Sequence, residues 1–231
     1  MNDDYIDDII KSINFSKYES FEQSIYEAFK TLIIQGTIPM GKRINTKKLS
    51  RRLNMSRTPL RTALNRLLEE ELVEQNDKGW YTKQVTAKDA IEIYDLRKIL
   101  EIHVMTTAMN LMTEEDFVSL DKLLTQTEQT HESGDKDKVI ELFGMYHEFL
   151  YQKSNLLRIK QIVYSGREYL KRLRIMALND YERRSIAIKE HRIMYHIMEQ
   201  KNKEELKEIV TKHLDDSLKL VLEKNFPNYK V

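Results

Sequence analysis

The chain of 231 residues contains no cysteine. That absence excludes disulfides, thiolate metal sites and a cysteine nucleophile together. Glycine and proline are scarce, six and three residues respectively, a composition of helices rather than of turn-rich sandwiches or barrels. No apolar run approaches the ~18 residues that a membrane span requires, and the opening MNDDYIDDII is acidic where a secretory signal would be basic. The chain therefore reads as soluble, cytoplasmic and mainly α. A dominant charge is missing too, since 38 Lys and Arg face 37 Asp and Glu. One stretch breaks that balance: residues 41–66, GKRINTKKLSRRLNMSRTPLRTALNR, hold nine Lys and Arg and no Asp or Glu.

Periodicity divides the chain. Over residues 18–35, Phe21, Ile25, Phe29, Leu32 and Ile33 follow helical spacing, with Gly36 closing the segment. A short amphipathic piece covers 46–53. A further helix opens at Ser56 as N-cap and carries Leu60, Ala63, Leu64, Leu67 and Leu68 as its core stripe. The runs LVEQ and WYTKQV flank Asn76, Asp77, Lys78 and Gly79, a hairpin signal. Helix, helix, turn, helix and hairpin make a winged helix-turn-helix domain over 17–85, after an amino-terminal extension, 1–16, whose structure the sequence leaves open.

From Thr86, which opens a capping box with Asp89, the pattern is helical throughout. Helices are expected over 87–112, 114–132, 136–153, 155–178, 184–200 and 203–224. Short connections predict an all-helical antiparallel bundle as a second domain, 86–231.

The acid-free stretch lies on the two helices of the helix-turn-helix pattern. In that geometry the second helix enters the major groove and the first crosses the backbone. Arg57 and Arg61 are thus candidates for guanine edges or phosphates, with the Ser56 and Thr58 hydroxyls suited to phosphate oxygens. Lys47, Lys48, Arg51 and Arg52 form the set that positions the backbone. A solvated basic face is the bland alternative; the missing acids and the helix-turn-helix context weigh against it.

The segment Met55-Ser56-Arg57-Thr58-Pro59-Leu60-Arg61-Thr62-Ala63-Leu64-Asn65-Arg66-Leu67 closely resembles the recognition core of the GntR family of bacterial transcription regulators. Met40 interrupts that family's Pro-Gly turn, and Glu71 replaces the glycine before Leu72-Val73. The resemblance implies DNA contacts at Lys47, Ser56, Arg57, Thr58, Arg61 and a wing at Gly79. It also implies a homodimer on a palindromic double-stranded operator.

The second half resembles the FCD effector domain of the FadR subfamily, marked by Tyr94-Asp95-Leu96-Arg97, Leu100-Glu101, Tyr146-His147, Glu190-His191 and His213. In metal-binding relatives an Asp stands four residues before the first histidine. Here that position is Phe143. By this resemblance His147, His191 and His213 could hold zinc or nickel. The other reading is a relative that binds its effector through hydrogen bonds alone. Arg97, Arg172 and Arg174 are the fork donors expected for a small carboxylate effector. His196 points about 140° from His191 on a helix and is set aside.

The resulting expectation is a ligand-responsive transcription regulator, a repressor rather than an enzyme. Two alternatives stand beside it. One is a metal-dependent helical enzyme, which lacks an evident general base because Glu190 points away from His191. The other is a ligand-independent architectural DNA binder.

Overall fold

A computed structural model describes residues 5–18, 20–165 and 167–229. The chain divides into two compact units. One runs to Val85 and takes in Ser165–Arg172; the other comprises Thr86–Tyr164 and the residues from Leu173 onward.

The first unit contains α1 (Tyr5–Ser12), α2 (Phe21–Ile34), β1 (Arg43–Ile44), α3 (Thr46–Arg52), α4 (Arg57–Glu69), β2 (Val73–Asn76) and β3 (Gly79–Thr82). The leucine stripe of α4 explains its placement: Leu60, Ala63, Leu64 and Leu67 are buried, and the helix packs on α2, whose Ile25, Phe29 and Leu32 are buried too. Gly36 ends α2 at φ +79°, a conformation costly for any residue with a Cβ.

Two features of this unit were not anticipated from sequence. The extension forms a true helix, α1, which buries Tyr5, Ile6 and Ile9 and packs on α2. Its Tyr5 hydroxyl donates to the Arg43 carbonyl and accepts from the Asn45 amide, each at 2.9 Å. The basic stretch also begins with a strand: β1 pairs with β3 in an antiparallel sheet ordered β1-β3-β2, Arg43 opposite Tyr81 and Ile44 opposite Trp80. A two-residue strand is too short to show alternation.

The second unit holds α5 (Ala87–Leu111), α6 (Glu114–Glu132), α7 (Lys136–Lys153), α8 (Leu157–Ser165), α9 (Arg167–Leu178, shared with the first unit), α10 (Tyr181–Glu199) and α11 (Lys203–Asn225). Thr86 and Thr113 each close a capping box, and Asp135, Asp180 and Asn202 cap their helices through side-chain oxygens. α5 packs against α11 and α7, and α10 against α11 and α6. The single helix expected over 155–178 is described as α8 and α9 on either side of residue 166, which lies outside the described residues.

Candidate functional site

Two regions concentrate polar chemistry, one on each unit. On the first, the fold sorts the nine basic residues of 41–66. Arg66 turns inward, donating to Gln23 and lying 3.8 Å over the Tyr26 ring. Arg43 donates to the Lys78 carbonyl at 2.9 Å, which places it beside Gly79. Lys42 lies 5.6 Å over the Tyr5 ring. Arg52 pairs with Asp7 of α1 at 2.7 Å, in an exposed contact. Lys47, Arg51, Arg57 and Arg61 are exposed and have no ion-pair partner among the described residues. These four project from α3 and α4; Lys48, also exposed, lies beside Lys47.

Ser56 occupies the N-cap position of α4, yet its hydroxyl makes no capping bond. That leaves both the hydroxyl and the first amides of α4 able to meet an anion. Ser56 and Thr58 are exposed. Gly79 opens β3 at φ +121°. A surface cleft of about 670 Å³ runs between this wing and the start of α3, lined by Lys42, Arg43, Lys47 and Gly79. Arg43 was not anticipated as part of it, because only the unpredicted strand β1 brings it to the wing.

On the second unit a small cavity of about 20 Å³ is lined by Tyr94, Arg97, Phe143, His147, Arg174, His191 and His213 among others. The three histidines converge from α7, α10 and α11: the His191 ring lies 5.6 Å from His147 and 5.1 Å from His213, centroid to centroid. Tyr146 stacks on His191 at 4.2 Å. Arg97 donates to Glu101 at 2.7 Å and Arg174 reaches the same space, but Arg172 does not. Two residues apart on a helix means about 200° of rotation, so Arg172 and Arg174 occupy opposite faces. The expectation for Arg172 is therefore corrected: it donates to the Lys83 carbonyl at 3.1 Å in the first unit.

The electrostatics follow from burial. Burial pushes His147 well below its ordinary pKa, helped by Arg174 and Arg97. Burial does the same to His191, aided first by His213 and then by His147. In His213 burial outweighs the Glu190 carboxylate, which accepts from Nδ1 at 2.5 Å. Arg183 donates through both terminal nitrogens to the same Glu190 oxygen at 2.8 Å. Burial draws Arg174 down to about 10, with Arg97 adding to the effect. Glu101, Arg183 and Tyr94 were not among the anticipated site residues; the Arg97-to-Glu101 spacing of four was the signal available for the first.

Among the described residues no group of three or more His, Cys, Asp or Glu stands in the arrangement of a metal site. Where a carboxylate would complete the set stands the Phe143 ring, 4.8 Å from His191. Glu190, the remaining nearby carboxylate on α10, is committed to Arg183 and His213. Among the described residues, no helix is long and apolar enough to cross a membrane.

Comparison with known proteins bears on both regions. Residues 21–81 match the bacterial regulatory proteins of the gntR family, and residues 92–216 match the FCD domain. The chain is 31% identical to the HTH-type transcriptional regulator YdhC of Bacillus subtilis (strain 168), over 88% of this chain and 93% of that protein. It is 28% identical to the Nta operon transcriptional regulator of Aminobacter aminovorans, over 79% and 86% of the two chains. Among solved structures, E. coli McbR/YncC shares the fold with a TM-score of 0.70 and 20% identity, covering 90% of this chain and 99% of that one.

Proposed function

The chain belongs to the gntR family of bacterial regulatory proteins and carries an FCD domain, and from that premise we propose how its two regions divide the work of a DNA-binding transcriptional regulator. The winged unit reads an operator. Arg57 and Arg61 face the bases, Ser56 and Thr58 meet phosphates at the start of α4, and Lys47, Lys48 and Arg51 hold the backbone. Arg52 contributes less than its neighbours, because Asp7 already neutralises it. The wing at Gly79, with Arg43 beside it, approaches the minor groove.

A homodimer on a palindromic operator supplies the second half-site. The helical unit takes a small carboxylate effector at the histidine and arginine cavity. The effector relieves repression by binding the DNA-incompetent state more tightly, the only way a ligand can shift that equilibrium. Reaching an operator places the protein in the cytoplasm. An enzymatic reading has less support, since Glu190, the nearest candidate base, is held by Arg183 and His213.

The observation that carries the DNA reading is the set of exposed, unpaired cations on α3 and α4. Its test begins with selection of bound DNA from a random pool. Arg57→Ala and Arg61→Ala should then each weaken binding to the selected site by about 1–3 kcal/mol in a gel-shift titration. Unchanged affinity in both variants would overturn the recognition-helix assignment.

A further inference from the structure

The sheet of the winged unit has a weak edge. Strand β1 is two residues long and, in the order β1-β3-β2, pairs with β3 alone. A strand that short is marginal without further support, and the outer side of an edge strand leaves its carbonyls and amides to water. Here one side chain satisfies two such groups. The Tyr5 hydroxyl donates to the Arg43 carbonyl and accepts from the Asn45 amide, each at 2.9 Å, using both capacities of a hydroxyl. Tyr5 is 4% exposed, and Ile6 and Ile9 are buried on the same helix, α1, which packs on α2. The hydroxyl is therefore held by the core rather than by the strand it supports.

What Tyr5 supports is the basic cleft. Arg43, fixed through its carbonyl, sends its guanidinium to the Lys78 carbonyl in the wing turn at 2.9 Å. Asn45, fixed through its amide, caps α3 by accepting from the Lys48 amide at 3.0 Å. Arg43, Asn45 and Lys47 line the cleft together with Gly79. A second contact from α1 reaches the other end of α3, where Asp7 meets Arg52 at 2.7 Å. We propose that Tyr5 is a positioning residue for operator binding: its hydroxyl fixes Arg43 at the wing and Lys47 at the start of α3 relative to one another, so that both cations meet the operator together. The hydroxyl itself touches no DNA and acts through β1 and α3. Geometry fixed before binding spares the ordering cost that a frayed strand would incur on the DNA. The inference rests on the winged unit being the DNA reader. It adds to that reader a helix, α1, that lies outside the residues 21–81 matching the gntR family.

The experiment uses the full chain and an operator selected from a random pool, with gel-shift affinity, melting temperature and hydrogen exchange by NMR as readouts. Tyr5→Phe keeps the ring and removes the bridge. It should weaken operator binding about fivefold, the effect of one hydrogen bond. Exchange at the Asn45 amide should become about tenfold faster, while the Leu64 and Leu67 amides in α4 keep wild-type protection. Ile9→Val trims the same helix without touching the hydroxyl. It should lower the melting temperature at least as much as Tyr5→Phe does, yet leave operator affinity within about twofold of wild type. Coupling is the further mark of positioning. In a chain carrying Arg43→Ala and Lys47→Ala, the added loss from Tyr5→Phe should shrink to under about twofold, whereas beside Arg57→Ala it should stay at about fivefold. The proposal is overturned by wild-type affinity in Tyr5→Phe, by an equal loss in Ile9→Val, by an undiminished loss in the Arg43 and Lys47 background, or by unchanged exchange at Asn45. A wild-type chain that retains no sequence from the pool would instead count against the DNA reading, and exchange at Asn45 would still decide whether the hydroxyl holds β1 and α3 in place.

Discussion

Arg57 and Arg61 stand exposed on α4 without a protein partner among the described residues, whereas Arg183 is buried against Glu190 and Arg97, its side chain 11% exposed, lies against Glu101. The first pair can remain unmatched because water solvates them. The second cannot, because the interior supplies no such solvent. Unpaired charge is therefore ordinary on the surface, whereas in the interior a guanidinium is held by a carboxylate or by carbonyls, as Arg183 is by Glu190 and Arg184 by those of Leu178 and Asn179.

The largest expected effect tests that contrast. Arg183 holds Glu190, the Ser217 hydroxyl at 2.8 Å and the His213 carbonyl at 3.2 Å. Arg183→Ala leaves the buried Glu190 with only His213, and should cost about 3–5 kcal/mol of stability in urea unfolding. Arg52→Ala removes an exposed pair with Asp7 and should cost under about 1 kcal/mol. Equal losses would break the distinction between the two kinds of charge.

Legibility in the sequence follows the same division. The winged unit could be read because its working residues cluster in sequence: nine cations without an acid, on two adjacent helices, with the leucine stripe fixing which face of α4 points out. Arg43 escaped because β1 exists only through pairing with β3. In the helical unit the periodicity gave the helices, and the histidines did converge as the resemblance implied. What stayed hidden was pairing. Arg97, Arg172 and Arg174 look alike in the sequence, yet one meets Glu101, one leaves for Lys83, and one faces the cavity without a partner. Helix phase at α9 and long-range ion pairs decide that, and neither is local.

Acid should separate the units next. All six histidines lie beyond Val85, and the single tryptophan, Trp80, lies in the winged unit. Burial keeps His147 and His191 neutral well below 6.5 in the folded unit. Below about 6.5 the unfolded chain takes up protons that the folded unit refuses. The stability present above that pH is then lost as pH falls, by about 1.4 kcal/mol per unit for each histidine kept neutral. Melts at pH 7.5, 6.5 and 5.5 should show the helical signal by circular dichroism moving to lower temperature on acidification. Trp80 fluorescence should move much less. Parallel shifts of both signals would mean that the units unfold together or that acid acts elsewhere.

The smallest effect concerns a turn that both units share. Helix α4 ends with the Leu72 amide returning to the Leu67 carbonyl and the Glu71 amide to Leu68, and Glu71 takes φ +56° between them. Helix α10 ends the same way, with Asn202 returning to Ile197, Lys201 to Met198, and Lys201 at φ +55°. This closure prefers glycine, because a Cβ in the left-handed region crowds the neighbouring carbonyl. The GntR resemblance places glycine at the first of these positions. Lys201→Gly should therefore stabilise the protein by about 1 kcal/mol. Glu71→Gly should gain about 0.5 kcal/mol, since it also gives up the exposed pair with Lys83. Neither change touches the exposed cations of α3 and α4, so operator affinity should stay at the wild-type value while the melting temperature rises by roughly 1–4 °C. A lower melting temperature for Glu71→Gly, with a higher one for Lys201→Gly, would show that the Lys83 pair outweighs backbone strain at the winged turn.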